Sequence, residues 1–133
     1  LFRDLELVMP ADAPACVSLP VATDRLVQLL LNLLLNAAEA MGGKGTIEVE
    51  VDVASEQVSF RIEDSGPGID EEVRSRLFEP FFTTRPAGEG TGLGLAVCEQ
   101  IVTAAGGTIA CIPSRLGGAA FEVCFTLQPS VVA

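Results

Sequence analysis

The sequence predicts a two-layer α/β sandwich, with helices gathered on one face of a largely antiparallel sheet. Three observations carry this prediction. Several short segments alternate apolar and polar residues, as half-buried strands do. Two longer segments with helical periodicity lie among them, each closed by paired glycines. The order is strand, helix, two strands, short helix, loop, helix, two strands, with no internal repeat and no linker. The chain has 133 residues, 49% of them hydrophobic, which is the size and composition of one domain, residues 1–133, with a proper core.

The elements follow in order. Leu5 to Val8 is a short apolar run and reads as an edge strand. Pro10, Pro14 and Pro20 punctuate the loop after it, with a short strand around Val17. Thr23 or Asp24 is the expected cap of a helix running to about Met41, stopped by Gly42, Gly43 and Gly45. Thr46 to Val53 (TIEVEVDV) and Val58 to Ile62 (VSFRI) alternate cleanly and form a hairpin across Ser55-Glu56-Gln57. Asp64 to Gly68 is a turn, and Asp70 caps a short helix to about Leu77. A Pro- and Gly-rich loop leads to a helix from about Thr91 to Ala105, ended by Gly106-Gly107. Thr108 to Ile112 and Ala119 to Leu127 are the last strands, joined by SRLGG.

Composition excludes several functions. No histidine is present, which removes imidazole bases, His-containing triads and histidine metal ligands. Eight basic against 18 acidic residues leave a net charge of −10, and no basic cluster is denser than Arg74-Ser75-Arg76. Such a chain repels nucleic acid and anionic membrane, so an anion would have to be held locally by amides, a metal and one or two cations. Cys16, Cys98, Cys111 and Cys124 form no C-x-x-C pair and read as reduced, mostly buried thiols of a cytosolic protein. Cys111 and Cys124 fall on neighbouring strands, from which no disulfide follows. The start at Leu-Phe-Arg, without Met or signal peptide, suggests a piece of a longer chain.

The first helix is apolar almost all round and is expected to be buried. Its polar residues Arg25, Gln28, Asn32, Asn36 and Glu39 recur at spacings of 3, 4, 4 and 3, which makes one narrow stripe. An unpaired buried amide costs about 1–3 kcal/mol. Asn32 and Asn36 must therefore reach water or a bound polar partner; a carboxamide oxygen suits magnesium that also holds phosphates. Asp64, fixed at a strand end, can accept a hydrogen bond from an amine, while Gly66 and Gly68 let the backbone approach a flat ring. Gly88, Gly90, Gly92 and Gly94 alternate into a helix start, where accessible amides form an anion site. The segment is neither a Walker loop nor a Rossmann fingerprint. Between these segments, Leu77 to Phe82 reads as the root of a lid over Thr83 to Glu89, with Arg85 available to a phosphate.

Taken together, these residues resemble the ATP-binding catalytic domain of sensor histidine kinases, from the superfamily shared with DNA gyrase, MutL-type proteins and the large heat-shock ATPases. NLLLNAAEA resembles the asparagine box, DSGPGI the first glycine box, LFEPFFTT the phenylalanine box and GEGTGLGLAV the second glycine box. GGTI followed by GGAAF resembles the closing hairpin. The resemblance runs from about Ala22 to Leu127 and implies a Bergerat-type fold, a mixed sheet of about five strands backing three helices. The FFTTRPAGEGTGLGL pattern is similar to the nitrogen-regulation and dicarboxylate-sensing kinases, in which a cation ends the FFTT segment, here Arg85.

The resemblance also implies roles. Asn36 would ligate Mg2+, with Asn32 near the metal and phosphates and Arg85 contributing to catalysis. Asp64 would bind the exocyclic amine of adenine, with Gly66, Gly68 and Ile69 along the ring. Gly90, Thr91, Gly92, Leu93 and Gly94 would follow the triphosphate. Phe78, Phe81 and Phe82 would set the lid, Phe82 also touching the nucleotide. Hydrolytic relatives typically carry a glutamate where this chain has Asn32, which cannot take up a proton at neutral pH. Many histidine kinases have Lys or Arg where this chain has Glu39, three residues after the metal asparagine. The cofactors implied are ATP and Mg2+. The partners implied are the dimerisation and histidine phosphoacceptor domain of the same kinase, absent here, and a response regulator receiver domain. The implied location is cytoplasmic, with neither nucleic acid nor direct membrane contact. The alternative is a regulatory nucleotide-binding module or an ATPase of the same superfamily.

Overall fold

The computed structural model describes residues 4–8, 19–54, 56–82 and 93–127. The strands are β1 (Asp4–Val8), β2 (Lys44–Val53), β3 (Gln57–Asp64), β4 (Thr108–Pro113) and β5 (Ala119–Thr126). The helices are α1 (Thr23–Ala40), α2 (Glu71–Arg74) and α3 (Gly94–Ala104). The five strands form one sheet in the order β1-β2-β3-β5-β4. Only β1 and β2 run parallel; the other three pairings are antiparallel. The helices pack on one face, so the mixed, largely antiparallel two-layer sandwich expected from the sequence is the observed fold.

Alternation decides which side chains meet the helices. Ile47 and Val49 on β2, Val58 and Ile62 on β3, and Phe121, Val123 and Phe125 on β5 are buried against Leu29, Leu33, Cys98, Ile101 and Val102. The opposite face is polar. Glu50, Arg61 and Glu122 stand in one row across three strands. Arg61 pairs with both carboxylates, at 3.2 Å to Glu50 and 3.0 Å to Glu122.

Three details differ from expectation. First, α1 is not buried all round: Leu29, Leu33, Ala37 and Ala38 are buried, but Val27, Leu31 and Leu35 are about half exposed. In a two-layer structure the sheet and α3 cover only part of a helix's circumference, and apolar composition does not reveal how much. Second, neither Thr23 nor Asp24 caps α1. Ala22 occupies the cap position with extended backbone, and the Asp24 carboxylate accepts from the Arg25 amide instead, at 3.0 Å. Third, α2 has a single turn and gives way to turns before Leu77; Asp70 precedes it without a side-chain cap bond. The strand expected around Val17 and the helix start at Thr91 lie outside the described residues. Cys111 and Cys124 do lie on neighbouring strands. Cys111 pairs with Phe121, three residues from Cys124, so the two thiols point to opposite faces and both are free. Burial pushes the thiols of Cys98 and Cys111 up to about 11, which keeps them protonated and unreactive at neutral pH.

Gly107, between α3 and β4, sits where no side chain fits. A Cβ there would stand 2.5 Å from the Cys124 carbonyl and 2.9 Å from the Phe125 ring. Gly107→Ala is therefore expected to destabilise the fold by about 1–3 kcal/mol through overpacking, read as a lowered denaturation midpoint with an unchanged slope.

Candidate functional site

Helix α1 carries the predicted polar stripe along one edge. Asn32 and Asn36 are half-buried on it, one turn apart, while Gln28 and Glu39 are exposed. At its middle, the Asn32 amide donates to the carbonyl of Gly94, the first residue of α3, over a long 3.5 Å. At its C-terminal end, Met41 Cγ and the Ala40 carbonyl lie 3.1 and 3.8 Å from where a Cβ of Gly66 would stand. The stripe thus runs from the start of α3 to the turn after β3, with Asn36 between them.

That turn holds the second group. Asp64 ends β3 and is 3% exposed. Its Oδ1 accepts from the amides of Gly66 at 2.9 Å and of Ala119, at the start of β5, at 3.1 Å. Oδ2 makes no hydrogen bond among the described residues. Burial raises the Asp64 pKa above the ordinary aspartate range; the two amide bonds oppose the shift without cancelling it. The turn between β4 and β5 closes over the carboxylate. The Gly118 amide donates to the Asp64 carbonyl at 3.2 Å, and a Cβ on Gly118 would stand 2.0 Å from Asp64 Oδ1. Gly68, at φ +80°, lies against the same turn, 3.5 Å from the Gly117 carbonyl as measured from an added Cβ. Gly68, Ile69, Arg74 and Gly118 share the rim of a cavity of about 220 Å³.

The phenylalanines divide their work. Phe78 is half-buried and meets Phe121 edge to face, with centroids 6.2 Å apart. Phe82 packs on the core under the Arg76 guanidinium, 4.5 Å from its ring centre. Phe81, between them in the chain, is 73% exposed at φ +66°. Phe81 is thus a strained, exposed aromatic between two that are anchored. Arg85, Gly90, Thr91 and Gly92 lie outside the described residues; Leu93 and Gly94, at the start of α3, are exposed.

The structure therefore brings Asn32 to Gly94, and Asp64 to Gly66 and the β4–β5 turn. Gly118 and Ala119 were not singled out as site residues from the sequence. Their signal is the glycine pair before β5, but nothing local ties it to Asp64, which lies 55 residues before Ala119.

Comparison with known proteins identifies the family and the fold. The family model described as histidine kinase-, DNA gyrase B- and HSP90-like ATPase matches residues 22–129. The sensor histidine kinase ZraS of Escherichia coli O157:H7 is 46% identical over 100 residues, covering 75% of this chain and 21% of that protein. The C4-dicarboxylate transport sensor protein DctB of Rhizobium meliloti is 44% identical over 101 residues, covering 74% of this chain and 16% of that protein. The chain thus spans about a fifth of the length of such relatives. Among solved structures, the nucleotide-free catalytic domain of histidine kinase ThkA superimposes with a TM-score of 0.81 at 32% identity, covering 94% of this chain and 82% of that one. ThkA has also been solved in complex with the response regulator TrrA, with a TM-score of 0.75 at 29% identity, covering 96% of this chain and 35% of that one. With four sequence boxes, one matched family model and one shared fold in agreement, the chain belongs to the histidine kinase-, DNA gyrase B- and HSP90-like ATPases and is a catalytic ATP-binding domain of the sensor histidine kinase type.

Proposed function

We propose that residues 1–133 form a single domain that binds MgATP and donates the γ-phosphate to a histidine on a separate dimerisation and phosphoacceptor domain. The observation that carries the reading is the arrangement at Asp64. Two backbone amides hold Oδ1, which leaves Oδ2 as an acceptor on a buried, pre-oriented carboxylate. The 6-amino group of adenine is a donor of matching polarity, whereas guanine presents a carbonyl there. Gly66, Gly68 and Ile69 would flank the ring, and Phe82 the lid side. Gly90, Thr91, Gly92, Leu93 and Gly94 would offer amides to the phosphates at the start of α3, with Arg85 as the added cation.

The donor set fits magnesium. Asn36 supplies a hard, neutral oxygen, and no group of three Cys, Asp or Glu among the described residues is arranged to hold a metal ion. Asn36 would hold Mg2+, which when bound would supply positive charge to offset the negative charge that develops during transfer. The chain's own work is positioning. Asp64 orients the base, and the stripe on α1 orients the metal and phosphates. Asn32 supports transfer over hydrolysis, because a carboxamide cannot take a proton from water. The acceptor histidine must come from another domain, since this chain has none. A response regulator receiver would then take the phosphoryl group, in the cytoplasm where ATP is available. No helix among the described residues is long and apolar enough to cross a membrane.

The test mixes the domain with magnesium, labelled ATP and a histidine-bearing dimerisation domain. Acid-labile label on the partner is the expected result. Free phosphate would instead indicate an ATPase, and tight binding without either product a regulatory module. Asn36→Ala is expected to erase the gain in ATP affinity that magnesium brings, about tenfold or more, while magnesium-free binding stays near its native value. Titration calorimetry with and without the metal measures both. An unaltered magnesium response would remove Asn36 from the metal's shell.

A further inference from the structure

Glu63 precedes Asp64 on β3 and points to the opposite, polar face of the sheet. It is a carboxylate only 1% exposed, among partly buried charged neighbours on that face. Its register partner on β2 is Glu48, a like charge directly opposite, with Glu50 two residues further on. Such a trio is repulsive by itself. Arg115, in the β4–β5 turn, resolves the conflict. Its amide donates to Glu63 Oε1 at 3.1 Å, and its guanidinium to Oε2 through Nε at 3.3 Å and Nη2 at 3.0 Å. Nη2 also meets Glu48 at 3.3 Å and lies against Glu50. Burial alone would raise the Glu63 pKa, but the hydrogen bonds and charge of Arg115 outweigh it, and the carboxyl titrates below the ordinary range.

The turn that carries Arg115 is internally closed. The Ser114 amide donates to the Gly118 carbonyl at 2.9 Å, the Gly117 amide to the Ser114 carbonyl at 3.1 Å, and the Leu116 amide to Ser114 Oγ at 3.0 Å. Its far end makes the two contacts to Asp64 through Gly118 and Ala119. The bonds therefore form a ring: Glu63 to Arg115, through the turn to Gly118 and Ala119, and back to Asp64. Consecutive residues of β3 grip the same turn from opposite faces of the sheet.

We propose that Arg115, clamped on Glu63, is a positioning residue for Asp64, holding from the back of the sheet the turn whose Gly118 amide meets the Asp64 carbonyl and which sets the Ala119 amide on the ligand-binding carboxylate. This rests on the assignment of Asp64 to the adenine amine. Arginine suits the task because its fork engages Glu63 while a remaining N–H reaches Glu48. Without it, the turn keeps its own hydrogen bonds but loses its anchor, and Glu63 is left buried beside Glu48 and Glu50.

The experiment compares native protein, Arg115→Ala, Arg115→Lys and Asp64→Asn by two readouts. The first is amide exchange at Gly118 and Ala119, set against Phe121 and Val123 further along β5. The second is the ratio of affinities for ATP and inosine triphosphate, which carries a carbonyl in place of the amine. Arg115→Ala is expected to speed exchange at Gly118 and Ala119 about tenfold while Phe121 and Val123 stay protected. It should lower the ATP-over-inosine preference by a similar factor, with Arg115→Lys recovering part of both. A merely structural role would speed exchange throughout β5 and leave the preference of the folded protein unchanged, which would overturn the proposal. Should Arg115→Ala fail to fold, Glu63→Gln, which leaves no buried charge, is read in its place with the same expectations. An unchanged preference in Arg115→Ala beside a lost one in Asp64→Asn sinks the anchor alone. An unchanged preference in Asp64→Asn sinks the adenine assignment itself, and the anchor's role with it.

Discussion

Asp64→Asn is expected to lower ATP affinity about 100-fold while leaving the fold intact. The asparagine can keep its oxygen in the Oδ1 position, where the Gly66 and Ala119 amides donate at 2.9 and 3.1 Å. Its NH2 then occupies the Oδ2 position and turns the acceptor into a donor facing the adenine amine. A hydrogen bond to a charged group is worth about 1.5–3 kcal/mol, and facing donors add desolvation cost, which together correspond to about two orders of magnitude. The fold survives because the carboxylate is not a source of stability. Burial raises its pKa, so its ionisation opposes folding above the ordinary aspartate range, and the neutral amide removes that opposition. Calorimetric titration gives the affinity and a thermal melt the stability. Native affinity in the variant would exclude Asp64 as the adenine contact.

The two neighbouring carboxylates also separate binding from folding by pH. Asp64, with its raised pKa, takes up a proton first on acidification and stops accepting from the amine. Glu63, with its lowered pKa, stabilises the fold above the ordinary glutamate range and loses that contribution only as pH falls through its lower value. The expected result is an acid loss of ATP binding that precedes unfolding, followed by affinity titration alongside circular dichroism. This component of the pH profile should be missing in Asp64→Asn.

What was legible in the sequence depended on whether the information was local. The β2–β3 hairpin followed from alternation in TIEVEVDV and VSFRI, and the observed strands differ only by one or two residues at their ends. Asp64 and Gly66 followed from turn chemistry, because the residues that interact are two apart. The exposure of Val27, Leu31 and Leu35 was not legible, because periodicity sorts a helix into faces but does not say which faces a neighbour covers. The Glu63–Arg115 clamp was not legible either. Fifty-two residues separate its members, and only the β3–β5 register and the closed turn after β4 bring them together. Sequence reading singled out neither Arg115 nor Glu63, which fell between the strand ending at Ile62 and the turn starting at Asp64. The chemistry of the site was local, whereas the parts that hold it still were not.

Gly118→Ala should be the most damaging single methyl group in the site. The added Cβ would stand 2.0 Å from Asp64 Oδ1, 2.5 Å from the Asp64 carbonyl oxygen and 2.6 Å from the Gly66 amide nitrogen. None of these can give way alone, since each belongs to the network that fixes the carboxylate. Either the turn retreats and its amides leave Asp64, or Asp64 rotates away from the nucleotide. Both routes remove ATP binding, with an expected loss of at least 100-fold, and overpacking of this kind costs about 1–3 kcal/mol of stability. Gly117→Ala is the matched control. Gly117 has φ +100° but nothing within 4 Å of an added Cβ. Its cost is backbone strain of about 1–3 kcal/mol, comparable in stability but without a clash at the carboxylate. Thermal melts should therefore rank the two variants close together, whereas calorimetry with ATP should separate them widely. Equal binding by both would mean that the close approach of the β4–β5 turn contributes packing only, and that Asp64 is held by Gly66 alone.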